Sequence, residues 1–238
     1  MKVDAPEIIL ALDVPESSDL PPILESIPDL IRFGKIGLEL FCAEGPDALR
    51  PLQDLGWRIF LDLKLHDIPR TVERAVRSAA RHGVDLLTVH AAGGQAMLEA
   101  AVAAAKDFGE NRPRLIAVTT LTSMNQDDLA CVGIARSLGD QALALADLAL
   151  SAGIDGIVSS VHEAAALRDR FGPAPLLVTP GIRMPGGEAA DQKRIAAPAD
   201  AVAAGATHLV VGRPIIEADD RAAAAALFLE NMHQAETQ

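Results

Sequence analysis

Arg58-Ile59-Phe60-Leu61-Asp62-Leu63-Lys64-Leu65 places two ionisable side chains, Asp62 and Lys64, inside a short run that is otherwise apolar after its first residue. A run of this length and composition reads as a β-strand. Strand side chains alternate between faces, so Asp62 and Lys64 point one way while Leu61, Leu63 and Leu65 point the other. The leucine face is suited to packing on helices, which leaves the charged pair facing the interior of whatever the strand encloses. A charged group in an interior is costly unless paired, so its presence there asks for a reason.

Similar runs recur along the whole chain, at residues 7–13, 33–40, 85–91, 114–121, 156–160, 176–182 and 208–213. Runs apolar on both faces, separated by segments long enough for a helix, are the pattern of parallel strands. Helices are expected at 71–82, stopped by Gly83, and at 95–108, 141–152, 198–204 and 217–233. The phrases HGVD, SAGID and AAGATH each sit at a helix stop followed by a strand start. Eight strand–helix units in 238 residues predict a TIM (β/α)8 barrel, α/β in class, with residues 1–238 as one domain. The alternative, a doubly wound open sheet, wants a Gly-rich turn after the first strand, where Asp13-Val14-Pro15-Glu16 stands instead. Residues 123–140 read as a long loop with room for one short helix.

Bulk properties exclude several functions. A net charge of −12 supplies no basic face for nucleic acid or an anionic membrane, and with no Tyr and one Trp there is little on which bases can stack. No stretch reaches the roughly 18 uncharged apolar residues of a membrane span, and the N-terminal residues do not resemble a signal peptide, so a cytoplasmic protein is expected. Cys42 and Cys131 have neither the number nor the spacing of a disulfide framework, and are expected to be small apolar residues rather than nucleophiles. No histidine pair stands at HxH or HExxH spacing, so no metal site is expected.

Barrel enzymes work at the C-terminal ends of their strands. Those ends carry Asp13 on strand one, Lys35 on strand two, Asp62 and Lys64 on strand three, and Thr122 and Ser123 beyond strand five. Asp67 follows strand three, so Lys35, Asp62, Lys64 and Asp67 can alternate in sign around the mouth, as a proton-transfer site or as a salt-bridge network that closes the barrel. In the first case the Lys64 ammonium, held protonated by its carboxylate neighbours, is suited to act as a general acid at carbon. At strands seven and eight, Val178-Thr179-Pro180-Gly181-Ile182-Arg183 and Val211-Gly212-Arg213-Pro214 supply glycines for close approach and two guanidiniums for a phosphate. Residues 184–192 between them read as a lid. His66 and His90 read as structural residues of the barrel mouth.

In order and spacing, ALD at 11–13, KIG at 35–37, FLDLKLHDIPRTV at 60–72, VHAAGG at 89–94, LTSM at 121–124, VTPGIR at 178–183, DQKR at 191–194 and VGRPI at 211–215 resemble the orotidine 5′-phosphate decarboxylase family over essentially the whole chain. The resemblance implies a proton delivered by Lys64 to C6 of the pyrimidine as CO₂ departs, with Asp62 beside the substrate carboxylate. It implies that Asp13, Lys35 and Asp67 hold the ribose hydroxyls, Thr122 and Ser123 the pyrimidine edge, and Arg183, Gln192, Gly212 and Arg213 the phosphate. It further implies a homodimer in which Asp67, Ile68 and Thr71 reach the partner's site, and catalysis without metal or organic cofactor. Metal-dependent relatives on the same barrel share D-x-K-x-x-D on strand three. They carry a Glu metal ligand where this chain has Lys35, whose charge repels a divalent cation.

Overall fold

The computed structural model describes residues 5–27, 30–186 and 195–236. Eight parallel strands close in sequence order into a barrel: β1 (Glu7–Ala11), β2 (Phe33–Ile36), β3 (Arg58–Leu65), β4 (Leu86–His90), β5 (Arg114–Val118), β6 (Gly156–Val158), β7 (Leu176–Thr179) and β8 (His208–Val211). Outside them lie α1 (Leu20–Glu25), α2 (Leu38–Glu44), α3 (Arg50–Asp54), α4 (Pro69–Arg81), α5 (Gln95–Lys106), α6 (Gln126–Cys131), α7 (Leu138–Ser151), α8 (Val161–Phe171), α9 (Pro198–Ala203), α10 (Arg213–Ile216) and α11 (Arg221–Glu236). The expected barrel is present.

Alternation divides each strand between two cores. Ile9, Phe33, Phe60, Leu86, Ile116, Val178 and Val210 meet inside the barrel, whereas Leu10, Ile59, Leu61, Leu87, Leu115, Leu177 and Leu209 pack under the helices. Both faces are buried, which is why the strands read as continuous apolar runs. Leu63 and Leu65 also pack against the outer core, as their parity requires.

Several boundaries differ from expectation. The run at 33–40 stops as a strand at Ile36, and Leu38 already begins α2, because the apolar composition continues across the strand–helix junction. The runs at 114–121, 156–160, 176–182 and 208–213 end early at Val118, Val158, Thr179 and Val211, and their last residues turn into the mouth. Helix α8 is not announced by periodicity; Ser160 starts it, its N–H and hydroxyl both donating to Glu163 Oε2 at 3.1 and 2.8 Å. The two cysteines are exposed rather than packed inside.

The rim opposite the mouth is held by three equivalent junctions. Asp85, Asp155 and Thr207 each precede an even-numbered strand and grip the odd-numbered strand before it. Asp85 donates its N–H to Ile59 O at 2.8 Å and accepts the Ile59 N–H on Oδ2 at 2.7 Å. Asp155 does the same with Leu115 at 3.0 and 2.8 Å, and Thr207 with Leu177 at 2.9 and 2.9 Å. Their carbonyls then accept from Arg114, Leu176 and Glu7 of the next odd strand. The phrases HGVD, SAGID and AAGATH contain these residues. The place before β2 belongs to Arg32, whose side chain has no acceptor and donates to Leu55 O at 3.2 Å.

Candidate active site

The C-terminal mouth holds a cavity of about 510 Å³. Its floor is apolar, made by Ala11, Phe60, Val118, Val158, Val178 and Val210. Its rim carries Asp13, Lys35, Asp62 and Lys64 from β1 to β3, and Gly181, Arg183, Gly212 and Arg213 at the ends of β7 and β8. Such a floor offers an apolar surface to the face of a planar ring, with charged side chains around its rim.

The charged wall is a relay of ion pairs. Lys35 Nζ lies 2.9 Å from Asp13 Oδ1 and 3.8 Å from Asp62 Oδ2. Lys64 Nζ donates to both oxygens of Asp62, at 3.0 and 2.9 Å. Burial is deepest in the middle of the relay: the Lys35 and Asp62 side chains are 11% and 14% exposed, against 33% for Lys64 and 58% for Asp13 at its ends. The alternation of sign foreseen from the sequence is therefore real, but within one chain its outer carboxylate is Asp13, not Asp67. Gly37 leaves room for it, since a Cβ there would come within 3.1 Å of Lys35 Nζ and 3.2 Å of Asp13 Oδ1.

Lys64 reaches this position from an irregular backbone. Leu61 pairs with Leu87 and Leu65 with Val89, so four steps along β3 match two along β4. Within the bulge Lys64 has φ +50°, the one positive φ outside glycine among the described residues. The left-handed region costs a residue with a side chain roughly 1–2 kcal/mol. The side-chain alternation survives, with Asp62 and Lys64 both facing the cavity, although the regular ladder behind that expectation does not.

The β7–β8 side of the cavity brings together Gly181, Arg183, Gly212 and Arg213, the residues from which an anion site is expected. Gly181 takes φ +79°, open to glycine at little cost, and turns the chain beneath Arg183. Arg183 donates to Ile182 O at 2.8 Å. Gly212 passes close to β1, where a Cβ would meet Ala11 Cβ at 3.2 Å, and Arg213 opens α10 directly after it. Thr122 lines the cavity and Ser123 does not. Gln192 and most of the expected lid lie outside the described residues.

Asp67, Ile68 and Thr71 do not line their own cavity. All three are exposed, Ile68 to 67%, at the exit of β3 and the start of α4. Asp67 Oδ1 accepts the Ile68 N–H at 2.6 Å. Beside them His66 stacks on His90, whose Nδ1 accepts the Ala92 N–H at 3.2 Å and so caps the short helical turn that follows β4. Sequence reasoning assigns no role to two residues that shape the site: Gly37, which enters only as part of KIG, and Thr88 in β4. The Thr88 hydroxyl lies 2.9 Å from Asp62 Oδ1 and 2.8 Å from the Lys64 amide nitrogen. A threonine inside an apolar strand looks like any β-branched residue until its neighbours are known.

Comparison with known proteins agrees with this geometry. A sequence profile of the family described as orotidine 5′-phosphate decarboxylase / HUMPS matches residues 6–228. An orotidine 5′-phosphate decarboxylase of Anaeromyxobacter sp. (strain K) is 51% identical over 218 residues, covering 92% of this chain and 94% of that protein. One from Moorella thermoacetica is 47% identical over 224 residues, covering 92% and 89%. The crystal structure of orotidine 5′-phosphate decarboxylase from Lactobacillus acidophilus superposes with a TM-score of 0.85 at 37% identity, covering 96% of this chain and 99% of that one.

Proposed function

This chain belongs to the orotidine 5′-phosphate decarboxylase / HUMPS family, and on that footing we propose that it converts orotidine 5′-phosphate to uridine 5′-phosphate and CO₂. The observation that carries the reading is Lys64 Nζ, held by both oxygens of Asp62 at the edge of an apolar floor. The phosphate binds against Arg183, Gly212 and Arg213, with Gln192 as a further ligand. The pyrimidine lies on the floor, its edge toward Thr122 and Ser123, and Asp13 and Lys35 take ribose hydroxyls.

The C6 carboxylate then stands beside Asp62, and the two like charges raise the free energy of the bound substrate. The C6–carboxyl bond breaks, CO₂ leaves, and the electron pair stays on C6. Lys64 Nζ delivers a proton to that carbon, so an N–H bond breaks as the C6–H bond forms, and the amine recovers a proton from solvent. No metal or organic cofactor enters this scheme. Preorganised charge at the reacting carbon, and binding of the remote phosphate, supply the rate enhancement.

The same reading makes the enzyme a cytoplasmic homodimer. Asp67, Ile68 and Thr71 do not line their own cavity, and an exposed isoleucine among polar residues suits a surface that a second copy covers. Asp67 then completes the charged network of the partner's site, and Ile68 and Thr71 enclose its substrate.

The deciding experiment follows the absorbance change of orotidine 5′-phosphate with wild type and Lys64→Ala, each with and without chelator. Turnover by wild type should be indifferent to chelator and should fall by many orders of magnitude in the variant. Near-wild-type turnover by Lys64→Ala would sink the mechanism, and chelator-sensitive activity would revive a metal-dependent one.

A further inference from the structure

We propose that Thr88 is a positioning residue for the reaction, holding Asp62 and Lys64 together through a single hydroxyl. The inference rests on the decarboxylase reading of the site.

Thr88 sits in β4 between Leu87 and Val89, opposite the bulge where β3 takes four steps to two. It is fully buried and faces the barrel interior one layer above Leu86. The bulge takes the Lys64 amide out of the regular ladder, and instead of a carbonyl that amide finds Thr88 Oγ1 at 2.8 Å. An amide N–H only donates, so the hydroxyl oxygen must accept there. Its own proton is then directed elsewhere, and Asp62 Oδ1 lies 2.9 Å away. The polarity of the chain is therefore determined: Lys64 N–H to Thr88 Oγ1, and Thr88 O–H to Asp62 Oδ1.

One side chain thus touches both members of the pair in different ways. It fixes the backbone of Lys64 at the left-handed φ of +50° that carries Nζ into the cavity. It also fixes the rotamer of Asp62, whose oxygens accept from Thr88 Oγ1 and from Lys64 Nζ. Thr88 does not itself line the cavity, so it acts on the substrate only through these two residues. Loss of its hydroxyl should misplace the proton donor while leaving the phosphate, ribose and floor contacts untouched.

The test compares Thr88→Val, which keeps shape and branching, with Thr88→Ser, which keeps the hydroxyl. In Thr88→Val, kcat should fall by about 10- to 100-fold, the loss typical of a misplaced reacting group, while KM and the affinity for uridine 5′-phosphate stay close to wild type. Thr88→Ser should recover most of that loss. Amide hydrogen exchange at Lys64 should be faster in Thr88→Val than in wild type and near wild type in Thr88→Ser. Unchanged kcat in Thr88→Val, a rise in KM matching the fall in kcat, or equal damage in the serine variant would each overturn the proposal. Should Thr88→Val fail to fold, Thr88→Ala against Thr88→Ser decides by the same criteria. If wild type does not turn over orotidine 5′-phosphate, the decarboxylase reading falls, and the exchange rate at Lys64 still judges whether Thr88 holds that amide.

Discussion

The imidazoles of His66 and His90 lie stacked, with ring centroids 5.0 Å apart and planes 17° from parallel. Burial pushes the His90 pKa below its ordinary value, and the nearby His66 and Lys64 charges push it the same way. A histidine depressed in the folded state takes up its proton first in the unfolded chain. Its contribution to stability is therefore complete above the unfolded value, about 6.5, and is lost as pH falls through that value and down through the folded one. His90→Asn retains an acceptor for the Ala92 N–H and removes the titration. Urea midpoints measured from about pH 8 down to about pH 5 should fall less steeply in this variant than in wild type. Parallel slopes would show that His90 does not carry the effect.

The proposed sharing of active sites between two subunits would have a consequence in mixtures. Lys64→Ala and Asp67→Ala should each be nearly inactive as homodimers. Dissociated and reassembled together, they form heterodimers in which one of the two sites has both residues intact. With random pairing about a quarter of all sites are restored, and the recovered activity should approach that fraction of wild type. Recovery indistinguishable from the separate variants would mean that Asp67 serves its own subunit's site or none.

Arg213 tests the remote phosphate. A charge-assisted bond to a phosphate contributes about 1.5–3 kcal/mol, so Arg213→Ala should lower kcat/KM on orotidine 5′-phosphate by roughly 10- to 100-fold. The poor activity on orotidine, which lacks the phosphate, should be almost unchanged. Steady-state kinetics on both substrates decide this. Equal losses would place Arg213 in the general integrity of the mouth.

Much of the architecture is legible from pattern alone because every strand is buried on two sides. The boundaries of β3 and the inward parity of Asp62 and Lys64 follow from residues 58–65 by themselves. The bulge at Lys64 does not, since it is a relation between two strands and leaves no mark on either sequence. The same holds for Thr88. Asp67 can be placed after the strand but not assigned to a cavity, because that depends on how the chain turns at Ile68. Helix α8 is a different case: Ser160-Val161-His162-Glu163 is a capping-box signature that the sequence carries openly, and the Ala-rich segment after it obscures the periodicity. The end of β2 at Ile36 is hidden because Leu38 and Leu40 continue the apolar composition into a helix.

Asp85 lies at the rim farthest from the chemistry, yet it grips Ile59, three residues before Asp62 on the same strand. A slip of one residue in β3 would exchange its faces, turning Asp62 and Lys64 toward the helices and two leucines into the cavity. Such a slip requires both bonds between Asp85 and Ile59 to break. Asp85 therefore works as an index mark. It counts the strand into place at one end, so that Asp62 and Lys64 emerge on the cavity side at the other.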